Sequence, residues 1–110
     1  MRLLVLILVP TALSATVITG AAQTTGDRVK GRTFALQVCT PCHVVAPKQV
    51  SPKRFANAPA FSDIAKTRGM TETSLHAFLS TPHPSMPNLI LSQSEQDDVI
   101  AYILSLREKR

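Results

Sequence analysis

Gly31-Arg-Thr-Phe-Ala-Leu-Gln-Val-Cys-Thr-Pro-Cys-His43 runs an apolar-patterned segment directly into two cysteines and a histidine. Just upstream, Asp27 is a residue type that caps helices, and Val29, Ala35, Leu36 and Val38 supply the apolar positions of a helix beginning after it. That helix is expected to end near Cys39. Pro41 cannot occupy a helix interior, and it biases Thr40 towards extended backbone. Cys39 to Cys42 is therefore a helix end turning into a loop. Gly31, having no side chain, permits another backbone to come close to the helix.

On the N-terminal side, Arg2 precedes an uncharged run from Leu3 to Gly20 rich in Leu, Val and Ile, followed by small residues at Gly20-Ala21-Ala22. This is the pattern of a secretory signal peptide. Residues 1–22 are expected to be cleaved, leaving one domain over 23–110. The alternative is an uncleaved anchor, disfavoured by Pro10, by several Thr and by a run shorter than the ~20 apolar residues of a span. Either way the domain is exported, into the periplasm or anchored facing it.

On the C-terminal side, Val44 to Ala60 holds three prolines and no helical period, which predicts a surface loop. Ser62 is expected to cap a short helix through Lys66, with Phe61 and Ile64 facing inward. Thr71 starts another, to about Ser80, burying Leu75, Phe78 and Leu79. Pro82, Pro84 and Pro87 then force a stiff loop. The last helix has a Ser-x-x-Glu capping box, Ser92 to Glu95, an apolar stripe of Val99, Tyr102, Ile103 and Leu106, and a basic end at Arg107, Lys109 and Arg110. No alternating strand, repeat or phosphate-binding glycine loop is present, so the fold class is all-α.

The 110 residues make one small domain, with 12 Lys and Arg against 7 Asp and Glu, and only Arg2 of these precedes Gln23. A modest positive charge favours acidic partners. Nucleic acid is excluded as a partner by the dispersal of the basic residues and the absence of any nucleic-acid motif. With no Trp, one Tyr and four Phe, so short a chain needs a staple beyond side-chain burial. Two cysteines three apart do not make a disulfide framework. A large flat apolar cofactor would serve.

Cys39-Thr40-Pro41-Cys42-His43 is the Cys-x-x-Cys-His pattern of c-type haem attachment. Two thiols separated by one tight turn reach two vinyl groups on neighbouring pyrroles, and the following imidazole is brought beneath the iron as its proximal ligand. A thioredoxin-like thiol pair needs a βαβ setting this chain lacks. Zinc needs further regularly spaced ligands, and His76 and His83 are too scattered to supply them.

Over nearly all of 23–110 the chain resembles the class I cytochromes c. Gly31 to His43 resembles the family's first helix and haem-binding turn, where a small residue crosses closely against the last helix. Ala58-Pro59-Ala60-Phe61 is similar to the segment whose proline carbonyl accepts the proximal histidine's hydrogen bond. Ser85-Met86-Pro87-Asn88 resembles the methionine ligand loop, and Val99 to Leu106 the C-terminal helix, whose Tyr packs on the first. One position departs from the pattern. Where the family often has an aromatic residue, four after the glycine, this chain has Ala35 with Phe34 beside it, which leaves the helix register open by one residue.

The resemblance implies crossing N- and C-terminal helices around one haem c, covalent through Cys39 and Cys42, with iron held by His43 and Met86 and with Pro59 fixing the histidine tautomer. His83, three residues from Met86, is the rival sixth ligand, ahead of Met70 and His76. With both axial positions filled by protein, the implied function is single-electron transfer, not catalysis. The implied partners are redox proteins, a dehydrogenase or oxidase with acidic docking surfaces, met by a monomer. Lys48, Lys53, Arg54, Lys66 and Arg68 are candidates for its basic rim, and Lys53 or Arg54 for a propionate contact. Membrane association would come only through a partner or an uncleaved anchor. The alternatives are a haem enzyme or gas sensor with a displaceable sixth ligand, and a thiol–disulfide protein.

Overall fold

The computed structural model describes residues 25–50, 52 and 57–107. The expected signal peptide and its cleavage site, Lys53, Arg54, Lys109 and Arg110 lie outside the described residues. Four helices follow in order: α1 (Arg28–Val38), α2 (Phe61–Lys66), α3 (Glu72–Leu79) and α4 (Gln93–Ser105). No strand occurs among the described residues, and the all-α expectation holds.

Helix α1 starts where Asp27 accepts hydrogen bonds from the Val29 and Lys30 amides at 2.8 and 3.2 Å. Its inward face is made of small residues. A Cβ on Gly31 would stand 1.9 Å from the Asp98 carbonyl oxygen, and one on Gly26 1.9 Å from that of Asp97. The Asp27 amide also donates to the Asp98 carboxylate at 2.7 Å, pinning the crossing of α1 and α4. Such close backbone contact turns the larger apolar side chains outward: Val29 is 68% exposed, and Leu36 and Val38 are also exposed. Ala35 is fully buried and Phe34 half-buried beside it, which settles the register left open by the sequence.

Helix α4 is the centre of the molecule. Its capping box forms as expected, the Glu95 carboxylate accepting from the Ser92 amide and hydroxyl. Val99, Tyr102, Ile103 and Leu106 are buried, and so are Ile100 and Ala101. A single stripe does not describe α4, because α1, α2 and α3 all pack against it.

Four expectations are corrected. Ala60, not Ser62, precedes α2, with no side-chain cap; the Phe61 amide donates to the Val44 carbonyl at 2.9 Å. Phe78 is 47% exposed rather than buried, and its ring lies against that of His83 in the following loop, centroids 3.6 Å apart. The segment after His43 is not wholly superficial, since Val45 is 1% exposed and belongs to the core. Arg107 serves not its own helix end but the α2–α3 connection, donating to the Ala65 and Met70 carbonyls, each at 2.8 Å.

Candidate functional site

The last turn of α1 delivers the cysteines. The Cys39 amide donates to the Ala35 carbonyl, and the Cys39 carbonyl in turn accepts from the amides of Cys42 at 3.2 Å and His43 at 2.9 Å. This tight turn gathers two thiols and an imidazole at one end of the helix. The sulfurs of Cys39 and Cys42 are not bonded to each other. Burial, followed by the neighbouring Cys42, pushes the Cys39 thiol up to about 11, so it is protonated at neutral pH.

His43 is oriented from across the loop. Its Nδ1–H donates to the Pro59 carbonyl at 2.7 Å. A carbonyl only accepts, so the proton sits on Nδ1 and Nε2 keeps its lone pair. The ring lies 5.5 Å from that of Phe61, which in turn lies 6.4 Å from Tyr102. The Tyr102 hydroxyl donates to the Val45 carbonyl at 2.6 Å.

Gln49 was not visible in the sequence as a site residue. Its Oε1 accepts from the Val45 and Ala46 amides at 3.0 and 3.3 Å, and its Nε2 donates to the His43 carbonyl at 3.1 Å. Lys48, with φ 66°, takes the left-handed conformation that lets Gln49 turn back. A glutamine in a proline-rich loop carries no signal of this, although the contacts are local.

Met86 is half-buried on the irregular segment between α3 and α4. The other candidate sixth ligands are engaged elsewhere. Met70 packs against the core, His76 contacts Asp97 and Gln96, and the His83 ring lies against Phe78. Two free thiols and an imidazole with a bare Nε2, gathered at the end of α1, form a donor set suited to a covalent haem.

Residues 29–107 match the family model described as Cytochrome c. The chain belongs to the cytochrome c family. It is 40% identical over 81 residues to cytochrome c-552 of Bradyrhizobium diazoefficiens, the alignment covering 74% of this chain and 76% of the relative. No solved structure gives a significant match. This cytochrome is of the monohaem class I type and carries covalent haem c, Cys39 and Cys42 fitting the attachment motif. It is an electron carrier acting with redox partner proteins, and membership implies electron transfer rather than catalysis. No helix among the described residues of the cytochrome is long and apolar enough to cross a membrane.

Proposed function

We propose that this cytochrome is a periplasmic one-electron carrier whose iron is ligated by His43 Nε2 and Met86. The observation that carries the reading is the 2.7 Å hydrogen bond from His43 Nδ1 to the Pro59 carbonyl. It fixes the tautomer, aims Nε2 away from the loop and raises the basicity of the imidazole. Bound haem supplies the one-electron couple of its iron.

Met86 follows from stiffness and from the engagement of its rivals. Pro82, Pro84 and Pro87 restrict the unfolded chain, so less entropy is lost when the segment closes over the haem. A thioether favours the ferrous state, and with protein groups on both sides no position is left for substrate. Export rests on the 1–22 segment. Lys48, Lys66 and Arg68 are exposed and would meet an acidic dehydrogenase or oxidase surface, setting mainly the encounter rate.

Spectroscopy and potentiometry of variants test the ligation. Met86→Ala should abolish the far-red sulfur-to-iron band and lower the potential, with Met70→Ala and His83→Ala leaving both nearly unchanged. Loss of the band in either control instead would refute the assignment. A high-spin ferric wild-type protein would favour the enzyme or sensor.

A further inference from the structure

We propose that Glu72, His76 and Asp97 form a second metal site, independent of the haem, for one divalent first-row transition cation of the zinc type. Glu72 and His76 are four apart on α3 and so share a face, and Asp97 faces them from α4. His76 Nε2 lies 3.0 Å from Asp97 Oδ1. One ligand atom from each of the three residues lies within 4.8 Å of the others, and all three residues are half-buried. Zinc bonds of about 2.0–2.2 Å put tetrahedral ligand atoms roughly 3.3–3.5 Å apart, so small rotamer adjustments close the three around one cation.

The neighbouring Gln96 fixes which nitrogen faces the carboxylates. Its Nε2 donates to the Leu91 carbonyl at 3.4 Å, which turns Oε1 towards Ser80 Oγ and His76 Nδ1, at 3.2 and 3.3 Å. An amide oxygen only accepts, so Nδ1 carries a proton and Nε2 is presented to Asp97. A neutral ring would then set a lone pair against a carboxylate oxygen. Something positive must stand between them: a second proton or a cation.

Glu72 supplies the third ligand: it stands in the first turn of α3, and its carboxylate oxygen lies within 4.8 Å of the ligand atoms of His76 and Asp97. Two carboxylates and a neutral imidazole balance a dication, and one nitrogen with few oxygens suits zinc rather than calcium or magnesium. An amide on the far ring nitrogen is the kind of outer partner that orients a ligating histidine. The site would tie α3 to α4, the two stems of the segment that carries Met86.

The test is titration of the holoprotein with zinc chloride, by calorimetry and thermal melting. One zinc should bind per wild-type molecule and raise its Tm. Affinity should fall at least tenfold in Glu72→Gln and in Asp97→Asn, vanish in His76→Ala and be unchanged in His83→Ala. In the reduced protein, zinc-induced NMR shifts should centre on Glu72, His76, Gln96 and Asp97. The absence of stoichiometric binding, indifference to Glu72→Gln, or loss in His83→Ala would each overturn the site and leave His76 and Asp97 as an ordinary ion pair.

Discussion

The Tyr102 hydroxyl donates to the Val45 carbonyl at 2.6 Å, joining the central helix to the chain two residues beyond His43. Both residues are buried, at 5% and 1% exposure, so no water replaces this bond if it is lost. Tyr102→Phe keeps the ring near Phe61 but leaves the carbonyl unsatisfied. It should destabilise the holoprotein by about 1–3 kcal/mol. Denaturant titration checks this, through a lower midpoint at unchanged slope.

Gly31 offers a sharper contrast, because helix propensity and packing predict opposite signs. Alanine is favoured over glycine in an isolated helix by about 1 kcal/mol. Here its Cβ would meet the Asp98 carbonyl oxygen at 1.9 Å, and backbone cannot step aside as a side-chain tip can. Packing should win, with Gly31→Ala costing about 3 kcal/mol or more and lowering the yield of holoprotein. Val29→Ala, at a site 68% exposed, should stay within about 0.5 kcal/mol of wild type in the same melts.

What was legible in the sequence is what covalent spacing or a side chain's own hydrogen bonds determine. Cys39, Cys42 and His43 belong together because they fall within five consecutive residues, and the caps at Asp27, Thr71 and Ser92 announce themselves by type. The Pro59 contact spans 16 residues and was accessible only through the family resemblance. The start of α2 was misplaced because backbone groups, the Phe61 amide and the Val44 carbonyl, do the anchoring. Phe78 was misjudged because periodicity marks a face of α3 but not how much of that face the rest of the fold covers. Ile100, fully buried, was missed because a one-stripe reading does not suit a helix packed on several sides.

Acid stability should follow two caps. The amides of Val29 and then Lys30 hold the Asp27 carboxyl below its ordinary 3.8, and the Ser92 hydroxyl and then its amide hold Glu95 below 4.5. Both groups bind protons less tightly when folded, so below those ordinary values the unfolded state takes up more protons. Their contribution is present above about pH 5 and is lost as pH falls through the folded values. Asp27→Asn and Glu95→Gln should each flatten the fall of Tm between about pH 5 and 3. An acid limb unchanged in both variants would assign the loss to other carboxylates.

Gln49 makes the strongest case for a residue whose type says little and whose position says much. Its side chain satisfies the Val45 and Ala46 amides with one oxygen and the His43 carbonyl with its nitrogen, all in a half-buried setting. Leucine at this position would fill similar space while stranding two donors and an acceptor beside the histidine. Partial access to water moderates the penalty, so Gln49→Leu should cost about 1–3 kcal/mol. The effect should also be local, because the helices do not depend on Gln49. Hydrogen exchange should accelerate at the Val45 and Ala46 amides well before it does in α4. Protection lost equally from the loop and from α4 would instead mean that Gln49 supports the fold as a whole, and unchanged protection at Val45 and Ala46 would mean that its hydrogen bonds do not persist in solution.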